Sequence, residues 1–345
     1  MGVLWYYRYE NVDDKPLYKV LLRYTMEYTT TLSEHQPIAI TIGNFDGIHK
    51  GHQRLLHELR DMAQELNCTP TLVTFVPHTL MVVRPDIHVE YLTALEEKLT
   101  LAKQYGSVPD SIVVHFTPAV AAMSASEFLD ELRGHFPIRG MVVGANFSLG
   151  HKRMGDVAFL ERYGQAHEII VRTIALEADE QARISSTRIR ALVKEGQVAE
   201  ANDLLGHLLT MSGRVVHGDE RGKLLGFPTA NLLPDAHRLL PANGVYAVRV
   251  RVSSTEVGDE QSSSSVYNGV ANIGVRPTFN GTERRVEVHL LDVELDLYDK
   301  YLFIDFVARL RSEQRFSGID ALKAQITADV EQARQILQHD STQTV

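Results

Sequence analysis

The sequence has a single cysteine, a single tryptophan and no long apolar stretch. Because Cys68 has no second thiol to pair with, an intrachain disulfide is excluded, which fits a reducing compartment. No segment approaches the ~18 consecutive apolar residues of a membrane helix, and charge interrupts the N-terminal apolar run too early for a signal peptide. We therefore expect a cytoplasmic protein without a membrane partner.

Basic residues are also in short supply, with 35 Lys and Arg against 44 Asp and Glu and a net charge of −9. A nucleic-acid backbone requires a basic surface, so we expect no nucleic-acid partner. Small phosphorylated ligands remain compatible with this charge, because they need only a local positive site. With 345 residues, of which 44% are hydrophobic, the chain is long enough for two domains that each bury a core.

The part from about residue 37 to 176 alternates short runs rich in Val, Ile, Leu and Thr with longer helical patterns. Such alternation predicts a parallel sheet with right-handed crossovers, whose ligands bind at the carboxyl ends of the strands. We therefore predict an N-terminal α/β, Rossmann-like domain. The predicted strands are 37–42, 71–76, 111–116, 140–145 and 168–174, and the predicted helices are 53–66, 95–104, 126–132 and 157–163.

The pattern changes after a helical bridge at residues 185–205. Strand-like segments then follow one another with turns and no helices between them, which predicts an antiparallel barrel or sandwich. We interpret a polar, serine-rich stretch at 255–265 as a hairpin loop, and apolar residues at three-to-four spacing predict a final helix from about Ser317. The predicted strands are 213–216, 244–252, 266–273, 285–291 and 301–310.

A first candidate site follows the first predicted strand, in the run Gly-Asn-Phe-Asp-Gly-Ile-His-Lys-Gly-His at residues 43–52. If a helix begins there, His49 and His52 share one face near its positive N-terminus, beside glycines that let the backbone approach a phosphate. Such a site suits a phosphate that gains negative charge in the transition state. The pair alone is more often a surface feature, and no cysteine cluster or carboxylate at ligand spacing supports a zinc site.

A second segment, residues 184–190, has three hydroxyl residues where a helix can start. Ser185, Ser186 and Thr187 can cap that helix or bind phosphate oxygens. Arg188 and Arg190 can supply positive charge to a triphosphate. By itself the segment also fits an ordinary N-cap followed by solvated arginines.

The C-terminal half has no Gly-x-x-x-x-Gly-Lys-Ser/Thr motif, yet residues 213–232 place four glycines on and after a strand. Such a loop can wrap phosphates with backbone N–H groups. Thr229 and Asn231 alternate along an extended segment, so both side chains face one side and their oxygens can hold Mg²⁺. A glycine-rich turn without a ligand is the more common outcome of such a string.

Further along, Glu287 and His289 lie on one face of a predicted strand, while valines and a leucine lie on the other. A carboxylate flanked by valines can be positioned as a general base. As a bare pattern, Glu287 is more often a solvated strand residue.

Together, these segments resemble the bacterial bifunctional riboflavin kinase/FMN adenylyltransferase family, also called FAD synthetase. The resemblance covers about residues 37–338 and includes six more segments, whereas residues 1–36 match poorly and are interpreted as an extension of unclear role. The additional matching segments are 75–78, 92–98, 143–156, 243–246, 271–279 and 297–298. Mild departures from the family pattern occur at Thr79, Leu149, Lys223 and Asp299.

The resemblance implies a nucleotidylyltransferase domain at 37–190, a helical linker at 191–206 and, at 207–340, a six-stranded antiparallel riboflavin kinase barrel with a C-terminal helix. It implies phosphorylation of riboflavin to FMN by the barrel and adenylylation of FMN to FAD by the N-terminal domain. ATP is then the co-substrate, Mg²⁺ the metal ion, and a monomer or weak homo-oligomer the expected state.

The resemblance also implies roles for particular residues. Those expected to be catalytic are His49, His52 and Glu287. Those expected to bind ATP or phosphate are Gly43, Phe45, Asp46, Gly51, Ser185, Ser186, Thr187, Arg190, Gly218, Gly222 and Gly226. Asn146, Phe147 and Arg285 are expected to bind flavin or nucleotide, and Thr229 and Asn231 the metal.

The two reactions make different demands. A phosphomonoester such as FMN is mostly dianionic at pH 7, so its attack on ATP requires charge neutralisation and no base. The 5′-hydroxyl of riboflavin is neutral, so its phosphorylation requires a base. Two alternatives stay open: an adenylyltransferase for another phosphorylated small molecule with the barrel as a binding module, and a non-enzymatic flavin sensor or nucleic-acid-binding barrel.

Overall fold

The computed structural model describes residues 26–33, 35–175, 182–217, 222, 225–235, 237–255, 265–278 and 281–340. Gly218 and most of the predicted hairpin loop at 255–265 lie outside the described residues, as do residues 1–25 of the N-terminal segment.

The N-terminal domain is built on a six-stranded sheet in the order β1-β4-β3-β2-β5-β8. Every neighbouring pair is parallel except β1 with β4, so the predicted parallel sheet is confirmed. A separate two-stranded hairpin, β6 with β7, lies beside it. The strands are β1 Tyr28–Thr30, β2 Ile38–Ile42, β3 Thr69–Val76, β4 Asp110–His115, β5 Ile138–Gly144, β6 Ser148–Leu149, β7 Gly155–Asp156 and β8 Ile170–Ile174.

Helices connect these strands and cover the sheet with apolar residues. The helix signals are local: Ser124 and Glu127 form a capping box at the start of α5, and Asp156 caps α6. All four predicted helices are present, and two short ones, α2 and α4, were not predicted. The helices are α1 Lys50–Glu65, α2 Thr79–Val83, α3 Leu95–Gly106, α4 Pro118–Ala122, α5 Ala125–His135 and α6 Val157–Ala166.

Strand β1 was not predicted, because residues 1–36 were set apart as an extension. It pairs antiparallel with β4, and Met26, Tyr28 and Leu32 are buried in the core on one side of the sheet. A strand of three residues is too short to show a period in sequence. The described part of the extension therefore belongs to the sheet.

The predicted helical bridge is two helices, α7 Ser186–Glu195 and α8 Val198–Leu205. Gly196 separates them with a φ of 81°, the left-handed conformation that glycine adopts readily. Ile189, Val193 and Ala201 are buried in the same core cluster as the barrel interior. The bridge is therefore packed against the barrel along its length.

The C-terminal domain is a closed six-stranded antiparallel barrel in the order β10-β13-β12-β11-β14-β9, as predicted. The short strand β10 was not predicted as a separate strand. A final helix, α9, packs on the outside of the barrel over Val245, Ala247 and Val270. These elements are β9 Leu209–Val216, β10 Ala230–Leu232, β11 Gly244–Ser253, β12 Val266–Thr278, β13 Gly281–Leu290, β14 Tyr301–Ser312 and α9 Ile319–Asp340.

Among the helices that the structure describes, none is both long enough and apolar enough to cross a membrane.

Candidate active sites

The first site lies where the sheet order reverses direction. The chain goes from β2 to β3 and β4 on one side and then returns to add β5 and β8 on the other. Open α/β sheets leave a crevice at such a switch point, outside the carboxyl ends of the strands. The motif at 43–52 connects β2 to α1 and therefore occupies this crevice.

His49 and His52 come together as the sequence predicted. His49 is the N-cap of α1, and its Nδ1 accepts a hydrogen bond from the backbone N–H of His52 at 3.3 Å. The two rings stack with centroids 3.7 Å apart, and Phe45 packs against His52 with centroids 4.8 Å apart. The Nδ1 of His52 is closed off from solvent and has no hydrogen-bond partner among the described residues.

Both imidazoles are neutral near pH 7. Burial lowers the pKa of His49 to about 4, and burial, the adjacent His49 ring and the positive charge of Lys98 lower the pKa of His52 well below its ordinary value. A neutral His49 whose Nδ1 accepts a bond must carry its proton on Nε2. The pair therefore offers neutral N–H donors and no fixed positive charge.

Asp46 is buried and fully engaged with the protein. Its carboxylate accepts hydrogen bonds from the backbone N–H groups of Leu92 and Thr93 and from the Thr93 hydroxyl, at 3.0–3.1 Å. Arg190 donates to it at 2.5 Å. Burial raises the pKa of Asp46, but the charge of Arg190 and the N–H bonds outweigh that effect and hold the pKa below its ordinary value.

Asp46 and Arg190 were both predicted to bind phosphate, and these contacts show that each is already bonded within the protein. An ionised carboxylate repels a phosphate, and Asp46 already has partners, so its geometry supports a positioning role for the loop at 43–49. Arg190 is shared between Asp46 and the backbone carbonyl of Glu90, to which its Nε donates at 3.1 Å.

The hydroxyl residues of the second segment lie at the start of α7, as predicted. Ser185 is the N-cap, and its hydroxyl accepts from the Arg188 N–H. Ser186 donates to the Asp46 carbonyl at 2.8 Å, which ties this helix to the first motif. Thr187 is exposed. The two motifs, more than 130 positions apart in sequence, therefore form one site.

Asn146 follows β5 and is exposed, while Phe147 is half-buried against the sheet core. Arg183 donates to the Asn146 side-chain amide, and its charge contributes to lowering the pKa of both histidines. Sequence reasoning did not single out Arg183, because no periodicity marks an arginine in a loop before a helix.

Lys98 is a second residue that sequence reasoning did not select. It is 7% exposed, and its Nζ donates to the Thr74 hydroxyl at 3.3 Å near the carboxyl end of β3. Burial lowers its pKa to about 8, against the opposing charge of Asp46, so it stays largely protonated at pH 7. One signal was present: Lys98 occupies the apolar stripe of α3 with Leu101 and Ala102, at i+3 and i+4.

The second site lies on the outer face of the barrel. Glu287 on β13 is directly opposite Asn231 on β10 and Asn272 on β12. Its neighbours Val286 and Val288 are fully buried inside the barrel, while Glu287 is half-buried, which confirms the predicted alternation. Cross-strand partners share a face of the sheet, so the three polar side chains form one row. Asn272 was not among the predicted site residues.

The glycine-rich loop packs against this row. His289, two positions after Glu287, donates from Nδ1 to the Pro228 carbonyl at 2.8 Å, and its ring meets the edge of Phe227. A Cβ at Gly222 would clash with the Phe227 carbonyl oxygen, so glycine is required there. Gly226 is exposed with a φ of 88°.

The residues near this loop fit a magnesium ion that is shared with phosphates. Thr229 is half-buried and adjacent to the Gly222 backbone. Asn231, two positions further along and on β10, is buried. Hydroxyl and amide oxygens are suitable hard ligands, and Mg²⁺ usually keeps waters and phosphate oxygens in its shell. No group of three or more His, Cys, Asp and Glu side chains in the described ranges could form a metal cage by itself. Arg285 lies on the same strand as Glu287, two positions before it.

Two family models match the chain in the order of its domains. The model described as "FAD synthetase" matches residues 31–188, and the model described as "Riboflavin kinase" matches residues 205–337. The boundary between the two matches falls at α7 and α8.

Curated relatives match over most of the chain. The "Bifunctional riboflavin kinase/FMN adenylyltransferase" of Escherichia coli (strain K12) is 38% identical over 297 residues, 86% of this chain and 91% of that protein. The protein of the same name from Bacillus subtilis (strain 168) is 33% identical over 306 residues, 87% and 92% of the two chains. A crystal structure titled "Macrolide-efflux Protein from Streptococcus pneumoniae" superposes with a TM-score of 0.77 at 30% identity, covering 87% of this chain and 94% of that one.

Proposed function

Because the chain belongs to the bifunctional riboflavin kinase/FMN adenylyltransferase family, we propose that the residues described above divide two reactions between its domains. The chain is an enzyme of flavin-cofactor synthesis: the barrel phosphorylates riboflavin to FMN, and the N-terminal domain adenylylates FMN to FAD with release of pyrophosphate. The alternative, an adenylyltransferase for another molecule with a non-catalytic barrel, is not favoured, since both halves match an enzyme family.

In the adenylyl-transfer site, the FMN phosphate attacks the α-phosphorus of ATP and pyrophosphate leaves. The Nε2–H of His49 donates to phosphate oxygens as negative charge builds up, with His52 stacked behind it. Arg190, Lys98 and the N-terminal N–H groups of α7, beside Ser185 and Thr187, neutralise charge. Burial of His49 and Lys98 supports this assignment, because donors in a water-poor site interact more strongly with a developing charge.

The backbone around Gly43, Phe45 and Gly51 borders the phosphates, and Asp46 holds this loop in place. Gly47 has a φ of 87°, which side-chain-bearing residues rarely adopt. A Cβ at this position would also lie only 2.9 Å from the Leu92 side chain, so only glycine fits there. Asn146 and Phe147, with Arg183, border the nucleotide or flavin.

In the kinase site, Glu287 removes the proton from the 5′-hydroxyl of riboflavin as that oxygen attacks the γ-phosphorus of ATP and ADP leaves. The backbone of the loop at Gly222 and Gly226 surrounds the phosphates, and Gly218, outside the described residues, is assigned to the same role from the family motif. Thr229 and Asn231 would hold Mg²⁺, which would supply positive charge to the phosphates of ATP. Arg285, two positions before Glu287 on the same strand, is assigned to flavin or nucleotide binding.

We place the domain boundaries at 37–190 and 207–340 with the linker between them. The cytoplasm as location, a monomeric or weakly associated state and the absence of a nucleic-acid partner are also part of the proposal. The net charge of −9 supports the absence of a nucleic-acid partner, and the single cysteine supports a location in the cytoplasm.

The observation that carries the proposal is the convergence of two distant motifs on Asp46, beside a barrel that aligns Glu287 with Asn231. The test is a chromatographic assay of purified protein with riboflavin, ATP and Mg²⁺ that follows FMN and FAD separately. We expect FMN to appear first and FAD after it. Conversion of supplied FMN without phosphorylation of riboflavin would reject the kinase half, and no flavin conversion would reject both.

A further inference from the structure

A short segment, residues 90–93, lies between the first site and the barrel domain. One side of it faces the site: Leu92 and Thr93 donate to the Asp46 carboxylate, and the Glu90 carbonyl accepts from Arg190. The other side faces the loop before β11, where Tyr91 forms an isolated parallel bridge with Arg238. The Tyr91 N–H donates to the His237 carbonyl at 2.7 Å, and the Leu239 N–H donates to the Tyr91 carbonyl at 2.9 Å.

A buried ion pair extends this contact into α3. Arg238 donates to both carboxylate oxygens of Glu97, at 2.7 and 3.2 Å, and the side chains are 7% and 20% exposed. Arg238 also donates to the Thr210 carbonyl on β9, so the guanidinium is anchored in the barrel. A two-bond Arg–carboxylate pair fixes orientation as well as distance.

Glu97 belongs to the first turn of α3, next to Lys98. Successive helix residues point about 100° apart, so this turn directs Glu97 toward the barrel and Lys98 toward Thr74 and Asp46. Glu97 also accepts from the Ala94 N–H at 3.2 Å, which fixes the start of the helix directly after Thr93. A shift of Glu97 would therefore displace both Lys98 and the backbone that holds Asp46.

From these contacts we propose that Arg238, a residue of the kinase domain, is a positioning residue for adenylyl transfer in the other domain. It acts through Glu97 and the segment 90–93, and it keeps Asp46 and Lys98 in position relative to His49 and His52. Two further contacts hold the N-terminal domain against the barrel and its linker: His207 Nε2 lies 2.9 Å from the Gly47 carbonyl oxygen, and Gln53 donates to the Leu205 carbonyl of the linker at 2.8 Å. This inference rests on the proposed adenylyl-transfer function.

The test compares Arg238→Gln, Arg238→Lys and Glu97→Gln with wild type in the full-length chain. FAD formation from supplied FMN and FMN formation from riboflavin are measured separately, each as kcat and KM. We expect Arg238→Gln to lower kcat for FAD formation by about tenfold or more, because small displacements of catalytic groups are costly. The KM values for FMN and ATP and the riboflavin kinase activity should stay within about twofold.

Arg238→Lys keeps the charge and should recover part of the lost kcat, which a purely steric role would not do. Glu97→Gln, placed in the other domain, should lower kcat for FAD formation in the same way and decides the matter if Arg238→Gln does not fold. Arg172→Gln is the matched control, since it breaks partly exposed ion pairs to Glu58 and Glu65 at the opposite sheet edge and should change neither activity.

Unchanged FAD formation in Glu97→Gln, or an equal fall of both activities in Arg238→Gln, would overturn the proposal. The proposed function fails in a different way, through the absence of FAD formation by the wild-type chain.

Discussion

The two candidate sites differ in how far they are withdrawn from solvent. His49, Asp46 and Lys98 are buried at the switch point of a parallel sheet, whereas Glu287 is half-buried on the outer face of a barrel. The difference follows the chemistry proposed for each site. A nucleophile that is already ionised needs fixed donors and charges, which gain strength from burial. A base must pass its proton on, and burial without partners would raise the pKa of a carboxylate.

The sites also differ in what holds them together. The first is connected by side-chain bonds between residues far apart in sequence, such as Arg190 with Asp46 and Ser186 with the Asp46 carbonyl. The second is defined by the register of adjacent strands, which places Glu287 between Asn231 and Asn272. A substitution at one site should therefore leave the other intact, and that independence can be tested.

The largest expected effect is that of Glu287→Gln, which keeps the side-chain shape and removes the base. We expect riboflavin phosphorylation to fall by about 10²- to 10⁴-fold, while FAD formation from supplied FMN is unchanged. Glu294→Gln, at an exposed carboxylate just beyond the same strand, is the control and should affect neither reaction. An unaffected kinase would remove Glu287 from the mechanism.

Asp46→Asn should show how much the first site depends on its buried ion pair. Removal of one partner from a buried pair leaves the other charge uncompensated, so we expect the free energy of unfolding to fall by about 3 kcal/mol and FAD formation to decrease. Urea unfolding followed by circular dichroism measures the first effect. Asp61→Asn removes the exposed pair with Arg60 and should cost less than ~1 kcal/mol; equal losses in the two variants would contradict the special role of Asp46.

His49→Asn should separate helix capping from catalysis. Asparagine is a favoured N-cap residue, so α1 keeps its cap while the Nε2 donor is lost. We expect FAD formation to fall by about 10²- to 10³-fold, with little change in unfolding free energy at pH 7 and no change in the kinase. His57→Asn, at an exposed position of the same helix, is the control. A variant with full FAD formation would exclude His49 as a donor.

The smallest effect is a pH dependence that should be specific to the first site. The pKa of His49 is about 4 in the folded state, below the ordinary 6.5 of an unfolded chain. Between these values the unfolded chain binds more protons, so the stability due to this group is complete above pH 6.5 and declines as the pH falls toward 4. Urea midpoints at pH 7.5 and 5.5 measure the decline, and His49→Asn should reduce it; an equal decline in that variant would assign the effect to other groups.

Much of the fold could be predicted because its signals are local. The apolar runs of β2, β3, β4 and β5 and the capping residues of α5 are legible in short windows of sequence. The predictions missed what had no local period, namely the short strands β1, β6, β7 and β10 and the short helices α2 and α4. For the candidate sites, the histidine pair and Glu287 were identified by motif, whereas Arg183, Lys98 and Asn272 were not selected.

The sequence by itself determined the two domains, their order, the family and the residues that carry its motifs, because each of these is encoded in residue spacing within short segments. Only the tertiary structure decided that Asp46 is bound by Arg190, that Lys98 faces the histidine pair's side of the sheet, and that Arg238 of the barrel reaches Glu97. Those contacts join residues between 46 and 144 positions apart. Their formation depends on how packed elements bring distant side chains together, and on the desolvation that follows, which no local pattern records.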